Sequence, residues 1–210
     1  MSNSVVPFWD TRYAEPGFLF GKAPNAFLQS QSHRLMPGQS VLAVADGEGR
    51  NGVWLAEQGL RVHAVEASSV ALGKSRALAA QRGVSLEWEQ VDLQTWDWPV
   101  AAVDVVAAIF IQFVGPEGRV KQFASIRQAL KPGGLLILQG YTPRQLDFAA
   151  LNFSTGGPPH AENMYTQAML REAFGDWEIL HLSEHDEIVE EGAGHSGQSA
   201  LIDLVARKPG

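Results

Sequence analysis

Residues 38–69, GQSVLAVADGEGRNGVWLAEQGLRVHAVEASS, contain the pattern that decides the fold. An apolar run at 41–45 predicts a strand that is buried on both faces. A glycine-rich turn follows at 47–49, and then a helix that carries Val53, Trp54, Leu55 and Ala56 and ends at Gly59. A second predicted strand, 61–65, ends on Glu66. The stretch is therefore one predicted βαβ unit.

The glycine turn and the acid at the second strand's tip indicate a ligand site. Gly47 and Gly49 permit positive φ and a close approach of the backbone to a ligand. The helix that follows points its N-terminal amides and positive dipole end at the same place. Glu66 is placed to accept hydrogen bonds from both hydroxyls of a ribose. GEGRNG, residues 47–52, fits the G-x-G-x-x-G template of dinucleotide folds, but it also suits a tight turn that holds no ligand.

Length and charge limit the class of protein. A chain of 210 residues suits one domain with a sizeable core. The formal net charge of -7 leaves no basic face for a nucleic-acid partner. The absence of cysteine excludes disulfides and thiolate chemistry and suits a reducing compartment. With no visible signal peptide and no apolar run of about 18 residues, we expect a cytoplasmic protein, monomeric or weakly homodimeric, with no membrane partner.

Residues 1–37 precede the first strand and carry too much aromatic area for a solvated tail. Residues 25–36 predict a helix. Two interpretations of the segment are compatible: a helical cap on the core, and a lid over the ligand. The lid would be lined by Trp9, Arg12, Tyr13 and Phe20.

Strand and helix patterns alternate through the middle of the chain. Ser68 predicts the N-cap of a helix that runs to about residue 82. A third strand ends at Asp92 and Leu93, a fourth spans 103–110 and a fifth spans 135–141. Between the fourth and the fifth strand we predict a helix with one buried face, formed by Val120, Phe123, Ile126 and Leu130.

The last third of the chain predicts a different arrangement. Residues 142–162 form an irregular substrate-side loop, and a helix follows from about residue 163 to 174. Two final strands, 177–188 and 199–208, form an antiparallel hairpin whose turn contains His195. We therefore predict an α/β fold with a doubly wound, mostly parallel seven-stranded sheet and a C-terminal antiparallel hairpin, in a single domain of residues 1–210.

Several polar and aromatic residues fall where the parallel strands end. Ligands of such sheets bind at the carboxyl ends of the strands, near the switch in strand order. The glycine turn, Glu66, Asp92, Phe110 and Tyr141 all occupy such positions. Their convergence predicts a shared site.

The order of these motifs resembles a known family. The marks are FWDTRY at 8–13, FGKAPNAFL at 20–28, GEGRN at 47–51, Glu66, Asp92 with Leu93, LKPGGLLIL at 130–138, TGGP at 155–158 and EGAGHSGQSALIDLVARK at 191–208. Over nearly its whole length the chain is similar to class I S-adenosylmethionine-dependent methyltransferases, specifically the small subgroup similar to tellurite-resistance methyltransferases. The resemblance implies a Rossmann-like methyltransferase fold and S-adenosyl-L-methionine as cofactor.

The resemblance also implies a role for individual residues. Backbone near Asp46, Gly47 and Gly49 would hold the methionine portion of the cofactor, and Glu66 the ribose hydroxyls. Asp92 would accept from the adenine amino group. The remaining cofactor contacts would come from the residues that pack the adenine ring, from the backbone next to the methyl donor and from the N-terminal segment: Ala67, Leu93, Phe110, Trp9 and Arg12.

One position departs from the family. The usual acidic residue within the first strand is replaced by Ala43, which removes an expected anchor for the cofactor's amino group. Asp46 or Glu48 are the candidates to replace it.

Candidates for contact with the acceptor flank the strand ends. Tyr141 and Arg144 follow the fifth strand, His160 lies beside the glycine-proline loop, and Gln112 lies past the fourth strand. His195 is favoured, because a turn of small residues would bring it close to other groups. We expect no metal, since the spacing of the histidines and acids near the C-terminus matches no known ligand pattern: His181, His185, Glu190 and His195.

Three functions follow from the pattern. The leading hypothesis is methyl transfer to a small-molecule acceptor, a thiol or a chalcogen oxyanion by analogy with the family. The second is a nicotinamide-dinucleotide-binding oxidoreductase or sensor, indicated by GEGRNG and Glu66. The third is a cofactor-binding protein without turnover, indicated by Ala43.

Overall fold

A computed structural model describes residues 6–153 and 156–210. Its strands are β1 (Ser40–Val44), β2 (Arg61–Glu66), β3 (Glu87–Gln90), β4 (Val103–Ile109), β5 (Leu130–Tyr141), β6 (Glu178–Glu191) and β7 (His195–Arg207). Its helices are α1 (Val6–Ala14), α2 (Ala26–Ser30), α3 (Arg50–Glu57), α4 (Ser69–Arg82), α5 (Pro116–Ala129), α6 (Gln145–Ala150) and α7 (Gln167–Phe174), with 3-10 turns at Ser32–Arg34 and Ala161–Asn163.

All seven strands form one sheet in the order β3-β2-β1-β4-β5-β7-β6. The pairs from β3 to β5 are parallel, and β7 pairs antiparallel with both β5 and β6. The predicted fold class is confirmed. Because β1 to β5 run the same way, their carboxyl ends meet at one edge of the sheet, which is where the predicted site residues lie.

Helices cover both faces of the sheet, and β1 shows how the sequence supports this. Leu42 and Val44 pack into one buried cluster with α5 and α7. Val41 and Ala43 pack into the other, with α3 and α4. Alternate side chains of a strand point to opposite faces, so a strand with apolar residues at every position is buried on both sides, as the run at 41–45 predicts.

The predicted buried face of α5 is partly wrong. Val120 is 71% exposed, and Leu130 begins β5 rather than ending the helix. The buried face instead includes Arg119 and Gln122 beside Phe123 and Ile126. Arg119 is tolerated there because its guanidinium donates to the carbonyl of Glu162. A search for periodic apolar residues does not find polar residues that are buried because a distant group accepts their hydrogen bonds.

Several element boundaries also differ from the prediction. The helix expected at 25–36 is only α2 and a 3-10 turn, and β3 ends at Gln90 because residues 92–96 fold into a turn on the Asp92 carbonyl. The loop 142–162 contains α6, and α7 begins at Gln167 behind the Thr166 cap. Residues 1–5 and Thr155 of the TGGP motif lie outside the described residues. Among the residues that the structure describes, no helix is long and apolar enough to span a membrane.

Candidate active site

A cleft opens at the carboxyl ends of β1 to β4. Most of the predicted site residues line it: Trp9, Tyr13, Phe20, Asp46, Gly47, Glu66, Ala67, Asp92, Leu93, Phe110 and His195. Gly49, Arg12, Tyr141 and Arg144 do not line it. The structure therefore brings the two strand-tip acids and Gly47 of the glycine turn into one pocket.

Glu66 is buried at the tip of β2 and is held by backbone amides. Its Oε2 accepts from the N–H of Gly47 at 3.0 Å, and its Oε1 from the N–H of Ser68 at 2.9 Å. Burial raises the pKa of Glu66, while the Ser68 and Gly47 amides oppose that shift. An ionised carboxylate has about four lone-pair sites. Glu66 is thus fixed in place and still able to accept hydrogen bonds from a ligand in the cleft.

Asp92 lies at the same edge of the sheet as Glu66, where the parallel strands end. The parallel pairing of β2 and β3 continues as a hydrogen bond from the N–H of Val91 to the carbonyl of Glu66, at 3.0 Å. Asp92 follows directly and is exposed, and its Oδ1 accepts from the N–H of Gln94 at 3.0 Å. Two carboxylates from adjacent strands therefore face one cleft, as the strand-tip argument predicts.

The structure separates the two candidates that could replace the missing acid of β1. Glu48 is already engaged: it forms an ion pair with Lys74 at 2.9 Å and accepts from the N–H of Leu19 at 2.7 Å. Asp46 is buried in the wall of the cleft, where its Oδ1 accepts from the N–H of Gly52 at 2.9 Å. Its Oδ2 has no hydrogen-bond partner among the described residues. Burial raises the pKa of Asp46 to about 7.

Gly47 and Gly49 have different roles in the turn. A Cβ at Gly47, whose φ is +58°, would come within 2.9 Å of the Tyr13 hydroxyl oxygen, so this glycine makes room for the N-terminal segment. Gly49 has a φ of +89° and a Cβ there would collide with Ser75 of α4. Gly49 itself does not line the cleft. It allows the turn and α4 to pack closely.

The N-terminal segment, residues 6–37, covers the cleft with aromatic rings. Trp9 stacks on Tyr13 with ring centroids 5.5 Å apart. The Asp10 carboxylate accepts from the Ser68 hydroxyl at 2.5 Å and so ties α1 to the N-terminus of α4. Arg12 lies over the Trp9 ring, 5.2 Å from its centroid, outside the cleft.

His195 lines the cleft from an unexpected element. The prediction that it lies in the hairpin turn is wrong, because the β6–β7 pairing continues to Glu191 and His195, which makes it the first residue of β7. Its side chain is 11% exposed, and its ring centroid lies 4.3 Å from that of Phe20 and 4.4 Å from that of Phe110. Burial lowers the pKa of His195, with Glu191 opposing. The imidazole is therefore neutral at physiological pH.

Two charged residues of the site were missed by the sequence analysis. Arg50 lines the cleft, and its Nη2 lies 2.7 Å from Oε2 of Glu191. The only sequence signal was their position: Arg50 follows the glycine turn, and Glu191 lies four residues before His195.

The remaining acceptor-side candidates lie elsewhere. The Gln112 amide donates to the carbonyl of Tyr141 at 2.8 Å and accepts from its N–H at 2.6 Å. Tyr141 is buried behind Phe110, on which it stacks at 4.8 Å. Arg144 is 60% exposed and pairs with Asp186 at 2.7 Å, and His160 is exposed. Tyr141 and Gln112 thus support the wall of the cleft from behind, and Arg144 and His160 take no part in it. Within 6–153 and 156–210, no group of three or more acids or histidines is arranged to hold a metal ion.

The donor set of the cleft fits S-adenosylmethionine. Carboxylates at two strand tips suit ribose hydroxyls and an adenine amino group, and small or apolar residues lie beside them. The unpartnered Oδ2 of Asp46 is the free acceptor in the same wall.

Comparisons with known proteins agree with this geometry. Residues 41–134 match the model of a methyltransferase domain family. A thiopurine S-methyltransferase from Pseudomonas putida is 29% identical, covering 95% of this chain and 97% of its own. A solved structure from work on the conversion of a disulfide bond into a thioacetal group during echinomycin biosynthesis has a TM-score of 0.76 at 19% identity, covering 98% of this chain and 92% of its own. TehB from Haemophilus influenzae has a TM-score of 0.70 at 14% identity, covering 97% of this chain and 66% of its own.

The structural matches share the fold, and the sequence matches favour methyl transfer over the dinucleotide and non-catalytic hypotheses. The strand order and the two acids on one cleft point the same way. The chain is an S-adenosylmethionine-dependent methyltransferase that acts on a small-molecule acceptor, and it is similar in fold to other methyltransferases.

Proposed function

We propose that the methyl acceptor is the sulfur of a small thiol carried on a flat, apolar body. The observation that carries this proposal is the aromatic lining of the cleft. Phe20 and Phe110 lie against His195, and Trp9 and Phe113 line the same cleft. Such rings favour flat apolar ligands. The name of the Pseudomonas putida relative, a thiopurine S-methyltransferase, supports sulfur as the acceptor atom.

A chalcogen oxyanion is the less favoured acceptor. Binding an oxyanion in a desolvated site needs uncompensated positive charge or several donors. The cationic side chain that lines the cleft among the described residues is Arg50, and Glu191 neutralises its charge at 2.7 Å. Likeness to TehB is a likeness of fold, which does not specify a substrate.

The cofactor would lie along the strand tips. We assign Glu66 to the ribose hydroxyls, Asp92 to the adenine amino group, and Ala67 and Leu93 to the faces of the ring. Asp46 and the backbone of Gly47 would hold the methionine portion. When bound, S-adenosylmethionine supplies a methyl group on a positively charged sulfur. The protein then has to hold the acceptor in line with that group and exclude water.

The N-terminal segment would act as the lid over this site. Trp9 and Tyr13 line the cleft from α1, and Glu48 holds the chain at Leu19 and Phe20. A closed aromatic cover excludes water from the reacting groups.

The finer partner assignments are also proposals. We propose a cytoplasmic monomer or weak homodimer that binds no nucleic acid, in keeping with the net charge of -7. Light scattering after size-exclusion chromatography would measure the oligomeric state, and a salt-dependent interaction with DNA or RNA would contradict the proposal.

An acceptor screen tests the proposed function. Thiols, amines, carboxylates and oxyanions are offered with S-adenosylmethionine, and release of S-adenosylhomocysteine is measured. We expect turnover with aromatic thiols. Preferred methylation of amines or oxyanions would contradict the thiol assignment, and no calorimetric binding of S-adenosylhomocysteine at millimolar concentration would contradict the cofactor site. A fluorescence titration with reduced nicotinamide dinucleotide is the control, and we expect no saturable binding.

A further inference from the structure

Three charged or titratable side chains from separate elements meet at one side of the cleft. Glu191 ends β6, Arg50 begins α3 and His195 begins β7. Oε2 of Glu191 lies 2.7 Å from Nη2 of Arg50 and 3.5 Å from Nδ1 of His195. Its other oxygen, Oε1, accepts from Nδ2 of Asn25 at 2.9 Å. The exposed fractions of the Arg50, Glu191 and His195 side chains are only 7%, 13% and 11%.

The charges in this group are set so that Glu191 stays ionised and His195 stays neutral. Burial alone would raise the pKa of Glu191, but His195 and Arg50 more than offset it and hold that pKa well below its usual range. Burial lowers the pKa of His195. Glu191 opposes that shift, while Arg50 and, from α1, Arg12 add to it. The titratable group that faces the ring from β5 is Tyr141, with ring centroids 5.8 Å apart. Burial raises the pKa of Tyr141 well above its usual range, so its hydroxyl stays neutral.

The position of the carboxylate decides which nitrogen of His195 carries the proton. An ionised carboxylate beside Nδ1 favours the tautomer with hydrogen on Nδ1, which leaves the lone pair on Nε2. The separation of 3.5 Å is long for a hydrogen bond. Such contacts are often long in ligand-free sites and shorten when substrate is bound. The Phe20 and Phe110 rings, at 4.3 and 4.4 Å, limit rotation of the imidazole.

We propose that Glu191, held by Arg50, is a positioning residue that keeps His195 in the Nδ1–H tautomer, so that Nε2 serves as general base for acceptors that are still protonated. The assignment rests on the proposed function. The acceptor's S–H bond breaks, its proton goes to Nε2, and its electron pair stays on the acceptor sulfur and forms the new bond to the methyl carbon. The pair of the bond that the methyl group leaves stays on the donor sulfur, and the imidazolium returns its proton to solvent.

A pair of thiols that differ in acidity tests the base. Para-nitrothiophenol is ionised at neutral pH and needs no base, whereas benzyl mercaptan is protonated and needs one. In His195→Asn we expect kcat/KM for benzyl mercaptan to fall by about 10² to 10³. For para-nitrothiophenol the same variant should lose at least tenfold less in kcat/KM, because no proton has to be removed from that thiol. An equal loss with both thiols would overturn the assignment of His195 as base.

Two readouts test the positioning role of Glu191. In Glu191→Gln, loss of the negative charge disfavours the imidazolium, so the acid limb of the pH profile for benzyl mercaptan should move to lower pH. Nitrogen NMR of the complex with S-adenosylhomocysteine should show hydrogen on Nδ1 of His195 in the wild type. The same spectrum should report a lower titration midpoint for His195 in Glu191→Gln.

His185→Asn is the matched control. His185 is a histidine of the same hairpin and also has a carboxylate partner, with Nε2 lying 2.8 Å from Asp203, but it does not line the cleft. Its removal should leave the acid limb and the ratio between the two thiols unchanged.

The outcomes distinguish a failure of the proposed acceptor from a failure of the proposed role of Glu191. A wild-type enzyme that binds S-adenosylhomocysteine but methylates neither thiol would contradict the proposed acceptor, and the tautomer measurement would still decide the role of Glu191. Hydrogen on Nε2 in the wild type, or an unchanged midpoint in Glu191→Gln, would overturn the positioning role. Calorimetric titration of each variant with S-adenosylhomocysteine establishes that it is folded.

Discussion

The two walls of the cleft are held together in different ways. The cofactor wall (Asp46, Gly47, Glu66, Ala67, Asp92 and Leu93) comes from loops that directly follow β1, β2 and β3, and backbone amides fix its central carboxylate. The acceptor wall (Phe20, Arg50, Phe110, Glu191 and His195) joins segments that are far apart in the chain. Its polar members are fixed by side-chain contacts, such as the Arg50–Glu191 ion pair at 2.7 Å.

Asn25 shows how much the acceptor wall depends on distant contacts. Its Nδ2 donates to Oε1 of Glu191 at 2.9 Å and to Oε1 of Gln139 at 2.6 Å. Its Oδ1 accepts from the N–H of Leu28, and its own N–H donates to Asn51. This one residue of the N-terminal segment therefore links the hairpin and the sheet through its side chain and α3 through its backbone N–H. The comparison indicates that the cofactor wall can persist when contacts of the acceptor wall are removed.

A large effect is expected at Gly49, in the turn that supports the cofactor wall. Gly49→Ala places a Cβ against Ser75 at a φ of +89°, so we expect a loss of about 3 kcal/mol in the free energy of unfolding. Urea denaturation measures it. Gly73→Ala in α4 is the control, since no atom lies within 4 Å of its new Cβ, and it should gain about 0.5 to 1 kcal/mol. Equal stability of the two variants would contradict the packing role of Gly49.

The second effect concerns the acceptor wall. Asn25→Ala removes the cap of α2 and two buried hydrogen bonds, so we expect a loss of about 2 kcal/mol in the free energy of unfolding. Affinity for S-adenosylhomocysteine should change by less than about threefold, because the cofactor wall does not use Asn25. The exposed Gln29→Ala in the same helix is the control. A large loss of affinity in Asn25→Ala would show that the walls are coupled.

The third effect concerns binding alone. Glu66→Ala should weaken binding of S-adenosylhomocysteine by about tenfold or more, on the order of 1.4 kcal/mol, because charged hydrogen bonds to the ribose are lost. Isothermal calorimetry measures it, with the exposed Glu87→Ala on the next strand as control. An unchanged affinity in Glu66→Ala would place the ribose elsewhere.

The fourth effect depends on pH. The pKa of Asp46 is raised from 3.8 to about 7 in the folded protein, so the folded state binds a proton that the unfolded state releases. The resulting stabilisation is complete below the unfolded pKa and is lost as pH rises through about 7. Relative to Asp46→Asn, the wild type should therefore lose about 4 kcal/mol in the free energy of unfolding between pH 4 and 8, since one pKa unit corresponds to about 1.4 kcal/mol. Parallel urea midpoints across that range would contradict this.

The same difference between the walls explains which parts were predictable from the sequence. The strand tips and their acids follow from short-range patterns: an apolar run, a glycine turn and Glu66 lie within a single βαβ unit. Arg50, Glu191 and His195 come together only because β6 pairs with β7 in a particular register. The sequence does not reveal that register, because the glycines of residues 192–197 predict a loop.

The helix predictions that were wrong have a related cause. The glycines and prolines of residues 142–162 predict an irregular loop, and α6 lies within it. In α5, Val120 fits the apolar period but faces solvent, whereas Arg119 is buried through its bond to a distant carbonyl. Such partners are supplied by the tertiary structure and are absent from the local pattern.

The length of the C-terminal hairpin has a consequence for substrate size. The β5–β7 pairing ends at Leu201, while the pairing of β6 with β7 continues to His195, so residues 195–200 extend past the end of that ladder. At about 3.3 Å per residue, this extension measures roughly 20 Å. Removing two residues from each arm, or adding two, would retract or advance the imidazole while keeping it on the same face of the hairpin, because side chains alternate between the two faces. The length of the hairpin thus sets how far His195 reaches into the cleft, and with it the space left for the methyl acceptor.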